Sequence, residues 1–203
     1  MLMPISLFAV RQRGVGLVEL MIAIVLGMLV IGSALALYAS SFGNNATSLR
    51  VARLNSDLRA VMTYITRDLR RAGYSGAAAG GFANPFDTIT QTSSSIVFAY
   101  DLDSDGTLDS NENFGYRFNN NAVQITTDGG TSWENISDPD RITITAFQIA
   151  ANSPGPISMG SSPVVNIQSR RYTITITGTI TSGGQTYTRV LQETVRIRNE
   201  EVS

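Results

Sequence analysis

Residues 20–39, LMIAIVLGMLVIGSALALYA, run for twenty positions without a charged side chain. No other feature restricts the chain so tightly. Wound as an α-helix, that stretch is ~30 Å long, about the hydrocarbon thickness of a bilayer. Such a helix has no polar face to offer water, so it is expected to span a membrane. Arg11 and Arg13 stand just before it. The bias of positive charge to the cytoplasmic side puts that end inside the cell and the C-terminal bulk outside. A secretory signal peptide would have a shorter apolar core, then a small-residue cleavage site and a helix-breaking flank. Here the helical pattern continues, which leaves an uncleaved signal anchor as the plainest alternative.

Glu19 lies just inside the start of the apolar run, in RGVGLVELMIAI. An ionised carboxylate costs about 2.5–3.5 kcal/mol at the bilayer centre and less near an interface, so an acid there calls for a partner. Gly14, then Val15, then Glu at the fifth place counted from Val15, then the apolar run, resembles the class III signal of type IV prepilins and type II secretion pseudopilins. The resemblance implies that a prepilin peptidase cuts between Gly14 and Val15 and methylates the new N-terminus. It also implies that Glu19 pairs with a terminal amine during filament assembly. A freed amine and a carboxylate are both poorly solvated in the membrane, and each is stabilised by the other.

Beyond the polar stretch SSFGNNATS, apolar residues return at helical spacing: Val51, Leu54, Leu58, Val61, Ile65 and Leu69. That pattern predicts an amphipathic helix with one buried stripe. Arg67, Arg70 and Arg71 complement the helix dipole at its end, Gly73 is the expected cap, and the stop is expected near residue 72. The wording LNSDLRAVMTYITRDLRRAGYSG resembles the PilW group of minor pilins and, more distantly, the J-type pseudopilins. A nucleic-acid patch is the other reading of six Arg against two Asp over residues 50–71. The helix terminus already accounts for those cations, and only Tyr64 and Tyr74 are interleaved as stacking partners, so no nucleic acid is expected.

The remaining residues are rich in Ile, Val, Thr, Phe and Tyr, with RITITAF and YTITITGTIT alternating in the manner of half-buried strands. Strands are expected over 96–100, 116–118, 122–126, 141–149, 172–181 and 186–198. Turns are expected at residues 128–130 and 181–185, and a loop over 151–163. Trp133, beside the first of these turns, reads as core packing. The fold class is therefore α+β, with a mostly antiparallel sheet. Its pilin-like form, implied by the resemblance, is a long N-terminal helix, membrane-spanning and then amphipathic, packed on that sheet. The expected organisation is a cleaved leader over 1–14, a transmembrane and filament-core helix over 15–43, an amphipathic helix over 44–76 and a β-rich domain over 77–203.

Within that domain, residues 74–140 carry ten acids against Arg117 alone, a surface suited to cations. Five of the acids fall in DLDSDGTLDSNE, residues 101–112, whose order is that of an EF-hand loop. Asp101, Asp103 and Asp105 offer oxygens from alternating positions, Gly106 permits the sharp turn, and Thr107 offers its backbone carbonyl. Asp109 contributes directly or through water, and Glu112 closes the set. Five carboxylates this close repel one another unless a cation neutralises them. Ca²⁺ is the expected ion, at an affinity on the order of 10⁻⁴ to 10⁻³ M; Mg²⁺ holds its water too firmly. A solvated Asp/Gly turn without a ligand is the plain alternative. The loop joins two strands, so here it would serve a β-hairpin instead of a helix pair.

The chain has no Cys, no His and no Lys, which removes thiol nucleophiles, imidazole bases and the usual zinc ligands. It is read as a structural protein and not an enzyme. The resemblance implies a minor pilin of the bacterial inner membrane, with its C-terminal domain in the periplasm, later carried in a pilus at the cell surface. Its partners would be other minor and major pilins, the prepilin peptidase and the inner-membrane assembly platform, with a tip adhesin as a further candidate. The alternatives are a J-type pseudopilin of a secretion system, a calcium-dependent adhesin, and a membrane-tethered periplasmic enzyme using the Asp cluster.

Overall fold

The computed structural model describes residues 14, 16–76, 84–160, 165–199 and 201–202. One helix, α1 (Leu17–Leu69), occupies 53 residues. No proline interrupts it, so the polar stretch through Gly43, Asn44 and Asn45 lowers helix propensity without breaking the hydrogen-bond ladder. The helix stops three residues short of the expected position. Arg71 N–H bonds Asp68 O at 2.8 Å and Ala72 N–H bonds Leu69 O at 3.3 Å, a tighter final turn. Gly73, at φ +75°, then turns the chain so that its N–H reaches Ala99 O at 2.9 Å.

The chain divides into two compact units, one up to Ala46 and one from Thr47 on. In the first, the large apolar side chains from Leu17 to Phe42 stand exposed. Among the described residues, α1 is the one helix long and apolar enough to cross a membrane.

In the second unit, Leu54, Leu58, Val61, Met62, Ile65 and Leu69 form the buried stripe of α1, the expected stripe with Met62 added and Val51 only half-buried. Strands β1 (Ile89–Gln91), β2 (Ser95–Ala99), β3 (Asn113–Asn119), β4 (Ala122–Thr126) and β5 (Glu134–Asn135) form an antiparallel sheet in that order. Strand β6 (Thr143–Ala151) belongs to a second sheet. A short strand, β7 (Ile157–Met159), lies where only a loop is expected from the Pro, Gly and Ser content; it pairs with β8 (Val165–Gln168). Strands β9 (Arg171–Ser182) and β10 (Gln185–Arg196) complete the second sheet in the order β10-β9-β6, and β11 (Glu201–Val202) pairs with β8 in a third. Gly183 and Gly184, both at positive φ, make the two-residue turn from β9 to β10.

The alternation of β9 turns Tyr172, Ile174, Ile176 and Gly178 toward the core. Gly178 is there because the helix is too close for a side chain: a Cβ would stand 2.9 Å from Leu58 Cδ2 and 3.2 Å from Leu54 Cδ1. Strand β6 departs from strict alternation. Ile142, Ile144, Phe147 and Ile149 are all buried, which requires one extra residue between Ile144 and Phe147; the register shift between Ile144 and Ala146 supplies it. Ile96, Phe98 and Tyr116 of the first sheet and Ile144, Phe147, Ile174 and Ile176 of the second join the helix stripe in one core. Each fully buried side chain of this size contributes about 1.5–3 kcal/mol.

Arg170 fastens the edge of this unit. It is buried, pairs with Asp87 Oδ1 at 3.1 Å, and donates to Asp87 O at 2.6 Å and Asn199 O at 3.1 Å. A Cβ on Gly73 would lie 2.8 Å from its Nη2. One guanidinium thus ties the segment before β1 to the segment after β10, close against Gly73.

Candidate functional site

The N-terminal site begins at Gly14, which is exposed, with open space where a side chain would stand. Val15 and the leader residues 1–13 lie outside the described residues. Glu19 sits in the first turn of α1, where the helix dipole favours an acid. Like the apolar side chains that follow, it is exposed. An uninterrupted apolar surface of this extent needs lipid or the apolar surface of another subunit to cover it.

The acidic loop connects β2 to β3, which pair antiparallel from Ser95↔Arg117 to Ala99↔Asn113, so the expected hairpin is present. Asp101 is 1% exposed and Glu112 likewise, whereas Asp103, Asp105 and Asp109 are exposed. Asp101 is the organiser. Its Oδ1 accepts from Ser104 N–H at 2.6 Å, and its Oδ2 from Gly106 N–H at 3.0 Å and Gly76 N–H at 2.8 Å. Burial pushes the Asp101 carboxyl up, but the N–H donors of Gly76, Gly106, Ser104 and Asp105 outweigh it and hold the group below its usual range. Gly106 takes the expected left-handed turn at φ 76°, and Ser104 takes another at φ 68°.

Carboxylate oxygens of Asp101, Asp103 and Asp105 lie within 4.8 Å of one another. Oxygens sharing one Ca²⁺ at 2.3–2.6 Å can be at most about 5 Å apart, so this trio has the spacing such an ion requires. The other expected ligands belong to the hydrogen-bond frame of the same loop. Thr107 N–H donates to Asp105 Oδ1 at 2.7 Å. Glu112 accepts from Leu102 N–H at 2.6 Å through Oε1 and from Asp109 N–H at 3.0 Å through Oε2, closing the loop through backbone groups. Asp109 precedes a short 3₁₀ turn, Ser110–Glu112.

Two functional neighbours escape sequence reasoning. Gly76 approaches the loop so closely that a Cβ would fall 2.3 Å from Ser104 Cβ; no local pattern announces that approach. Asp68 is buried in α1 and accepts from Tyr116 Oη at 2.6 Å. Its spacing of three from Ile65 and seven from Val61 puts it on the apolar stripe, which is the signal available in the sequence. Around it, Arg71 stacks on Tyr100 at 4.1 Å and Arg67 lies 5.7 Å from the Tyr64 ring. The Tyr100 hydroxyl is pushed up to about 12 by burial first and by the Asp68 charge second. Trp133 donates to Gly130 O at 2.9 Å, with Arg117 stacked 4.2 Å from its ring, so it braces the expected turn.

A long apolar helix with an acid in its first turn, whose second half packs on antiparallel sheets, defines a pilin-like protein. The prokaryotic N-terminal methylation motif matches residues 10–35 accordingly. More particularly, the chain belongs to the prepilin peptidase-dependent protein B family, whose model matches residues 47–197. Prepilin peptidase-dependent protein B of Escherichia coli (strain K12) is 22% identical over 170 residues, covering 79% of this chain and 87% of that protein. No solved structure matches the chain. Proteins of this class are structural, and the chain is not an enzyme.

Proposed function

We propose that this chain is a PilW-like minor pilin that primes assembly of a type IV pilus and resides at or near its tip. It is made as a single-span precursor in the inner membrane, with the β-rich domain in the periplasm. Prepilin peptidase cuts between Gly14 and Val15, and the new terminus is methylated. Glu19 then meets the terminal amine of a neighbouring pilin in the filament core, while the exposed apolar side chains of α1 exchange lipid for other helices. The observation that carries this reading is Glu19 in the first turn of a helix whose following residues are apolar and uncovered. The mass of the mature N-terminus tests it. A methylated Val15 is expected, and a chain still carrying residues 1–14 overturns the reading.

The same proposal assigns Ca²⁺ to the loop at residues 101–112, as a fastener that orders the hairpin outside the cell. Asp101, Asp103 and Asp105 supply the first oxygens, supported by their mutual spacing; the Thr107 carbonyl, Asp109, and Glu112 through the lone pairs that its two N–H bonds leave over complete the set. Ca²⁺ at ten times its Kd stabilises the folded chain by about 1.4 kcal/mol. For a unit of this size the midpoint of melting rises by about 3–5 °C. The shift is expected in the full chain in detergent and should vanish in Asp103→Asn/Asp105→Asn. Both positions are exposed, so the apo fold tolerates the change. Equal melting with and without millimolar Ca²⁺ removes the ion from the proposal.

A further inference from the structure

Beside the acidic loop lies a cavity of about 410 Å³ lined by Arg70, Arg71, Tyr74, Asp101, Leu102, Ser104, Arg198 and Asn199. We infer that this cavity receives a carboxylate carried on a peptide segment of a neighbouring subunit.

The argument starts from charge. Three guanidiniums face one carboxylate, and that carboxylate, Asp101, is already satisfied by the N–H groups of Gly76, Ser104 and Gly106. Among the described residues, no other carboxylate lines the cavity to neutralise the arginines. Arg70 has one outward pair, with Glu193 at 3.4 Å, and both partners are largely exposed. Arg71 lies over the Tyr100 ring; stacking uses the face of a guanidinium and leaves its N–H edges for an in-plane acceptor. The side chain of Arg198 has no partner among the described residues. Its backbone N–H bonds Arg70 O at 3.3 Å, which brings the two arginines to one rim. Guanidinium pairs recognise carboxylates bidentately.

The apolar part of the rim points to a peptide. Tyr74 and Leu102 both stand exposed there, suited to the hydrophobic residue next to an acid. The volume is that of a small-ligand pocket, enough for one or two side chains. A polyanion fits less well. A nucleic acid strand leaving this cavity would run against Asp103, Asp105 and Asp109, which are exposed in the adjoining loop, whereas one or two carboxylates would not.

Only the source of the peptide rests on the assembly reading; binding itself is measured on the isolated chain, so its failure leaves that reading standing. The probe is a fluorescein-labelled tetrapeptide alternating leucine and glutamate, followed by fluorescence anisotropy with the full chain in detergent. Saturable binding is expected, weakened by about tenfold or more in Arg198→Gln and in Arg70→Gln. It is expected to be unchanged in Arg189→Gln, an exposed residue of β10. Both cavity variants should melt with the parent chain, since neither side chain is buried. Undiminished binding in Arg198→Gln overturns the inference. So does equal binding of the glutamine counterpart of the peptide, or binding of duplex DNA or an oligogalacturonate in its place.

Discussion

Arg170→Ala should unfold the globular unit more readily than any other single substitution at its edge. The guanidinium is 6% exposed and its partner Asp87 25% exposed. Removing the cation leaves the Asp87 carboxylate without its counter-charge and the carbonyls of Asp87 and Asn199 without a donor. Breaking a buried pair in this way costs about 3–5 kcal/mol, and for a domain of this length the melting midpoint falls on the order of 10 °C. Asp87→Asn should cost less, because the backbone acceptors on Arg170 survive. Thermal denaturation of the full chain in detergent checks both. A midpoint in Arg170→Ala within a degree or two of the parent would mean that the guanidinium merely fills space. The Arg170 Nε atom is buried with no partner among the described residues, so the site is not saturated, and the loss is expected near the lower end of that range.

Glu19→Gln is expected to leave folding and cleavage intact and to exclude the chain from filaments. Glu19 belongs to the unit up to Ala46 and not to the unit that holds the β-rich domain. In the assembly proposed above, its carboxylate meets a terminal amine in an apolar surrounding. Deleting one charge of such a pair costs about 3–5 kcal/mol, which is at least about a hundredfold in an equilibrium. The measurement is the ratio of this chain in sheared filaments to that in membranes, with the mass of the N-terminus recorded in parallel. A processed Glu19→Gln chain that enters filaments at the parent ratio would remove the carboxylate from assembly.

Much of this architecture is written locally. The apolar run, the stripe from Leu54 to Leu69, the inward Ile residues of β9, the Gly183-Gly184 turn and the hairpin bearing the acidic loop all follow from periods of 3.6 or 2 and from turn chemistry. Where expectation and structure part, the cause is a pairing or packing partner that composition and local period do not announce. Strand β7 forms in a Pro- and Gly-rich stretch because β8 offers it a partner. The break in alternation of β6 exists because Ile144 and Phe147 must both reach one core.

The site divides in the same way. The ligand types and their order in residues 101–112 are legible because each is defined by position in a short segment. That Asp101 is held by Gly76, that Glu112 spends both oxygens on backbone N–H groups, and that Arg70, Arg71 and Arg198 share a cavity with the loop is not. The first and the last of those facts depend on segments distant in sequence being brought together, as across the 25 residues of the Gly76 to Asp101 bond, and the Glu112 bonds depend on how the loop folds back on itself.

The sequence by itself determined that the chain has a membrane-length helix with an acid at its start, a strand-rich remainder and an acidic hairpin, since composition and local period settle each of these. Only the tertiary structure decided which acid is buried, which arginine clamps the edge, and where glycine is obligatory. Burial and close approach are properties of the packed whole, and no residue carries them alone.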